Sequence, residues 1–149
     1  MSSGYLLDTN ALVYTLDPRE PERRERAKEV VRRTALSGSG ALPVQALSEF
    51  ANVYLNKLQP PLQPEEVRTE VERLSSAFPV FPLTPLIVGE ALRGVKEHGF
   101  SYYDSQIWAT ARLRELAAVL REDFNSGAVF EGVRFVDPFV PEFEITALE

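Results

Sequence analysis

Apolar residues fall into two rhythms along this chain. Tyr5-Leu6-Leu7, Ala41-Leu42 and Ala118–Leu120 are short continuous runs, the form of buried strands, and Val133–Val136, interrupted by Arg134, is a further strand candidate. Between them apolar positions recur at steps of three and four. Ala11, Leu12 and Leu16 predict a short helix stopping before Asp17-Pro18. Ala27, Val30, Val31, Ala35 and Leu36 predict a second, opened by Pro21 and broken by Ser37-Gly38-Ser39-Gly40. A third, from about Pro43 to Lys57, carries Leu47, Phe50, Ala51, Tyr54, Leu55 and Leu58 on one stripe. Gln45, Glu49, Asn52 and Asn56 form a polar stripe on the same helix, turned from the main core contact. Pro60-Pro61 ends it, and Pro64-Glu65-Glu66 opens a fourth reaching about Ala77.

Phe78–Leu83 reads as a strand, and Pro79 and Pro82 place it at a sheet edge. Thr84 predicts a helix cap with Pro85 in first position and Gly99 as the stop. Ser101 predicts the next cap, which puts Asp104 in a first turn with Ile107, Trp108 and Ala111 on the buried face below it. Strands alternating with helices predict an α/β fold, a parallel sheet with helices on its faces. The chain reads as a single domain over 1–149, with 138–149 a tail packed on that domain or on a second subunit.

This order gives four acids a common destination. Asp8 ends the first strand, Asp123 follows another closely, and Glu49 and Asp104 lie in helices. Carboxyl ends of parallel strands and the helix starts beyond them meet at one edge of the sheet. Neighbouring carboxylates raise one another's pKa, so such a cluster calls for a divalent cation. Oxygen-only ligands suit Mg²⁺ or Mn²⁺, and the pattern points to a metal-dependent phosphodiesterase site. Each acid alone is equally well a helix cap or a surface charge; the set carries the inference. Thr9 and Asn10 are placed to hydrogen-bond Asp8 or a coordinated water, with helix capping as the rival role.

The chain has no cysteine, which excludes disulfides and thiolate metal sites and fits a cytoplasmic protein. Its one histidine, His98, excludes a His-rich zinc site and reads as a cation in the last turn of a helix. No apolar run approaches a membrane span, so the expectation is a soluble, intracellular protein. A net charge of −6 is awkward for a nucleic-acid enzyme. Metal-site carboxylates account for part of it. The basic run from Arg19 to Arg33 is interleaved with Glu20, Glu22, Glu25 and Glu29 and reads as a solvated helix face. Glu122 and Asp17 read as surface acids, and Trp108 as core.

Four stretches together resemble the PIN-domain ribonucleases, and most closely the toxin subunits of VapBC-type toxin–antitoxin pairs. They are Tyr5-Leu6-Leu7-Asp8-Thr9-Asn10, Val44-Gln45-Ala46-Leu47-Ser48-Glu49-Phe50, Ser101-Tyr102-Tyr103-Asp104-Ser105-Gln106 and Leu120-Arg121-Glu122-Asp123-Phe124-Asn125. The resemblance implies a three-layer α/β/α fold with a four- to five-stranded parallel sheet, and makes Asp8, Glu49, Asp104 and Asp123 catalytic, metal-binding acids for Mg²⁺ or Mn²⁺. It further implies an endoribonuclease leaving a 5′-phosphate and a 3′-hydroxyl, a homodimer, and a small antitoxin that blocks the site. Arg121 stands where the family often has serine or threonine, and faces phosphate or forms an ion pair. Asp137 stands where asparagine is frequent, and reads as lying outside the site. Tyr102 and Tyr103, beside Asp104, are candidates to stack on RNA bases, with core packing as the rival.

Other classes fit less well. A phosphatase with a nucleophilic aspartate needs an acid where Asn10 stands, and no phosphate-cradling glycine loop follows a strand. A non-catalytic RNA- or protein-binding module on the same fold, and a housekeeping RNA-processing nuclease, remain as rivals.

Overall fold

Tyr5–Leu7 (β1) lies mid-sheet because its side chains have apolar neighbours on both sides: Leu6 and Leu7 are wholly buried and, alternating along the strand, enter different cores. In the computed structural model, which describes residues 4–122 and 126–148, β1 pairs in parallel with Gly40–Pro43 (β2) and with Ala118–Leu120 (β4). Val80–Phe81 (β3) extends the sheet beyond β2, and Val133–Val136 (β6) beyond β4, both parallel. Val129–Phe130 (β5) closes the far edge antiparallel to β6, giving the order β3-β2-β1-β4-β6-β5. The expected four or five parallel strands are therefore joined by a sixth, antiparallel one. Its two residues follow Gly127 and turn back through Glu131-Gly132, both at positive φ. So short a hairpin leaves no periodic trace in the sequence.

Helices Thr9–Val13 (α1), Pro21–Ser37 (α2), Val44–Asn56 (α3) and Pro64–Ala77 (α4) cover the face that receives Leu7. Pro85–His98 (α5) and Tyr102–Leu113 (α6) cover the face that receives Leu6. The helix signals fall where the sequence puts them. Thr84 caps α5 by accepting from the Ile87 amide at 3.2 Å, and Gly99 ends it at φ 73°. Ser101 holds the cap position of α6 without a side-chain capping bond. Where α5 and α6 cross, a Cβ on Gly94 would stand 2.2 Å from Ser105 Oγ, so only glycine permits that approach. Trp108 is fully buried beneath the crossing, its indole donating to the Phe130 carbonyl at 3.1 Å. Truncating it to alanine would cost about 3–5 kcal/mol.

The tail folds back on its own chain. Leu148 is buried in the core on the α1–α4 side, and Arg26 of α2 donates to the Pro138 and Phe143 carbonyls. Among the described residues no helix is long and apolar enough to cross a membrane.

Candidate functional site

Parallel pairing brings the carboxyl ends of β1, β2 and β4 side by side, and the chain leaves each with a functional group at once. Asp8 follows β1 and caps α1, its Oδ1 accepting from the Thr9 amide at 2.7 Å while its own amide donates to Leu120 O at 3.0 Å. Beyond β2, α3 carries Gln45 and Glu49 one turn apart. Arg121 follows β4, its amide still tied to the sheet through Val136 O at 3.0 Å. Asp104 enters from the first turn of α6. Asp8, Glu49, Asp104 and Arg121 line one open cleft of about 460 Å³, with Thr9, Asn10 and Gln45 in its wall.

Within the cleft the acids are tethered. The Thr9 hydroxyl donates to Glu49 Oε2 at 2.5 Å and lies 3.4 Å from Asp8 Oδ1. Gln45 Nε2 donates to Glu49 Oε1 at 2.9 Å and is itself held by Gln106. Arg121 Nη1 donates to Asp104 Oδ1 at 2.7 Å, and its Nε lies 3.7 Å from Asp8 Oδ2. Burial raises the Asp8 carboxyl above its ordinary value; the Thr9 amide and Arg121 oppose the shift, and Glu49 and Asp104 add to it.

The donor set suits a hard divalent cation, since carboxylate and hydroxyl oxygens face the cleft and, among the described residues, no sulfur or imidazole does. The charge balance points the same way. Arg19 also lines the cleft, but it is bound through its own amide, Nε and Nη2 to Asp17, which leaves Asp8, Glu49 and Asp104 facing Arg121. Asp17 itself is a correction: read as a surface acid, it is 3% exposed, because Arg19 two residues on supplies its partner. Among the described residues, the group of three ligand atoms within 4.8 Å of one another is elsewhere, at Glu97, His98 and Glu131. Those side chains are already paired: Glu131 with Arg93 at 2.8 Å and His98 at 2.6 Å, and Glu97 with Arg93 at 2.6 Å.

The other expected site residues divide. Asp123 lies outside the described residues. Asn10 turns from Asp8 to the backbone of Glu122, donating to its carbonyl at 3.4 Å and accepting from its amide at 3.2 Å. Tyr103 is 66% exposed on the cleft wall, whereas Tyr102 packs against the α5–α6 core. Glu122 is half-buried and accepts from the Tyr14 hydroxyl at 2.8 Å and Arg23 at 2.6 Å. Asp137 is buried and accepts from the Phe139 amide at 2.8 Å. Members of the basic run of α2 and the loop before it are engaged with acids: Arg32 and Arg33 with Glu29, Lys28 with Glu25, Arg23 with Glu122. Gln45 on the cleft wall, and Gln106, which holds it, are residues that sequence reasoning did not single out as functional. Gln45's spacing of four from Glu49 was the available signal.

A family model described as PIN domain matches residues 5–127. The fold is similar to a chain of a toxin–antitoxin complex from Klebsiella pneumoniae, at TM-score 0.64 and 23% identity over 91% of this chain and 98% of the other. It is similar to a chain of the DNA-bound VapBC complex of Salmonella typhimurium at 0.63 and 21%, with the same coverage of both. It is also similar to a VapC toxin of Mycobacterium tuberculosis described as cleaving the sarcin-ricin loop, at 0.54 and 14% over 78% of this chain and 87% of that one. No curated protein matches the sequence.

Proposed function

Because the chain belongs to the PIN domain family, we propose that the cleft is the active site of a Mg²⁺- or Mn²⁺-dependent endoribonuclease. The observation that carries the proposal is the convergence of Asp8, Glu49 and Asp104, spread over nearly a hundred residues of sequence, on one open cleft at the carboxyl edge of the sheet. When bound, a divalent ion supplies Lewis acidity: it lowers the pKa of water and neutralises the phosphate. Asp8 and Asp104 are the residues that would hold it, and Asp123 would join them directly or through water. Glu49 is held in place by Thr9 and Gln45 at the exposed side of the cleft. It orients the attacking water and takes its proton, or shares a second ion. Attack at phosphorus leaves a 5′-phosphate and a 3′-hydroxyl. Tyr103, exposed on the cleft wall, would stack on an RNA base.

The toxin–antitoxin complexes among the structural neighbours support a narrower version, in which this chain is a toxin held in check by an antitoxin; a cytoplasmic homodimer and a small antitoxin are what the family resemblance adds to that reading. A second reading, a non-catalytic RNA- or protein-binding module, is favoured by one observation: Arg121 already sits between Asp8 and Asp104. The discriminating experiment is cleavage of a mixed structured-RNA panel with Mg²⁺ or Mn²⁺, beside Asp104→Asn and an EDTA control. Cutting that needs both metal and Asp104 establishes the nuclease. Intact RNA with folded, metal-loaded, partner-free protein points to an inhibited, highly selective or non-catalytic protein. A short open reading frame beside the gene distinguishes the toxin from a housekeeping nuclease.

A further inference from the structure

Arg121 is tied to the acid cluster in a way the reaction itself does not explain. Its backbone is fixed by the sheet, its side chain is only 16% exposed, and its guanidinium reaches Asp104 at 2.7 Å and Asp8 at 3.7 Å. These are two of the carboxylates that would hold the ion, so the guanidinium and the ion draw on the same oxygens. The main chain need not move for the two to exchange, since rotation about the arginine side-chain bonds is enough to release both acids.

We propose that Arg121 is a built-in counter-cation that occupies the acid cluster when no metal is bound, and that metal enters by displacing it. The inference rests on the nuclease reading of the cleft. It assigns Arg121 a positioning role: it offsets part of the charge of the clustered carboxylates in the metal-free protein and sets the metal concentration at which the site fills. Arg19 plays no such part, because its three bonds to buried Asp17 hold it on the cleft wall. A lysine at 121 would keep the charge but lose the planar fork that bridges two acids. A serine or glutamine would remove the competitor.

The test is Mn²⁺ binding by isothermal titration calorimetry to the wild type, Arg121→Gln, Arg121→Lys and Asp104→Asn, without RNA. Removing a charged hydrogen bond to the cluster should tighten Mn²⁺ binding by about tenfold or more in Arg121→Gln, with Arg121→Lys between it and the wild type. Equal or weaker binding in Arg121→Gln, with Asp104→Asn still impaired, overturns the displacement while leaving the metal site standing. Unchanged binding in Asp104→Asn overturns both. A measurement on the wild type covers the case in which Arg121→Gln does not fold: a Mg²⁺ titration followed through arginine Nε–H resonances by NMR. The Arg121 signal, assigned by its loss in Arg121→Lys, should shift as metal binds; a signal that stays put at saturation overturns the proposal.

Discussion

Two charged clusters of this protein use much the same residue types and reach opposite balances. In the cleft, Asp8, Glu49 and Asp104 face Arg121, and the Asp8 carboxyl is pushed above its ordinary range. Across α5, the end of α6 and the turn at the amino end of β6, Glu90, Glu97 and Glu131 meet Arg93, Arg112 and His98. There Glu90 accepts from Arg93 and Arg112, and its carboxyl is held below its ordinary range, chiefly by Arg93. Glu131 is lowered to about 2 by hydrogen bonds from Arg93 and His98. The second cluster is a finished structural network with little to gain from a ligand. The first is under-compensated, and a protein keeps such a strained balance where chemistry needs it. Proximity of potential ligand atoms alone would pick the second cluster instead of the proposed site, since among the described residues the tighter grouping is Glu97, His98 and Glu131.

The contrast is sharpest where one carboxylate in each cluster is neutralised. Asp104→Asn should lower metal-dependent RNA cleavage by at least about a hundredfold while the protein stays folded, as expected for a group on which the transition state depends; activity within a factor of a few of wild type would remove Asp104 from the site. Next in size, Glu90→Gln should destabilise the fold by roughly 1–3 kcal/mol, because it leaves Arg93 and Arg112 short of a partly buried acceptor, which urea denaturation would register as a lower midpoint.

Asp8→Asn should go the other way and, without metal, stabilise the fold, read as a higher Tm in EDTA, because burial raises the Asp8 carboxyl. Asparagine still caps α1, and Arg121 keeps Asp104. The sign follows from linkage: a carboxyl whose pKa is raised on folding favours the folded state below its ordinary value of 3.8, and that advantage is lost as pH rises through the folded value. The gain from Asp8→Asn should therefore grow with pH across that window and then level off. Glu131→Gln should have the smallest effect, a loss below about 1 kcal/mol, because its ion pairs lie at the surface, where solvent screens them. That loss should be present above the ordinary value of 4.5 and fade as pH falls towards about 2.

Much of the cleft was legible because local rules placed its parts. An aspartate directly after an apolar strand, a glutamate on the polar stripe of α3 and an aspartate in a capped first turn each fix a side chain relative to its own element, and parallel pairing then brings the elements together. What escaped depends on partners that spacing does not reveal. Asn10 meets Glu122 across 112 positions of sequence. Asp17 is buried and takes three hydrogen bonds from Arg19, two residues on. β5 is two residues long, and its Phe130 packs against Phe100 and Phe135 with ring centroids 4.8 and 5.9 Å away, contacts that exist only after folding. The direction of Arg121 is likewise a tertiary fact: the sequence left phosphate and ion pair open, and the structure pairs it with Asp104 and Asp8.

The central claim is that the cleft acids form a deliberately under-compensated site that a divalent ion completes. Its most direct test is the thermal stability of wild type and Asp8→Asn, each measured in EDTA and in saturating Mn²⁺. The account predicts a crossover: Asp8→Asn melts higher in EDTA, and the wild type gains more from Mn²⁺ and overtakes it. If the wild type already melts higher in EDTA and Mn²⁺ shifts both proteins equally, the acids are a satisfied structural cluster and the cleft is not a metal site.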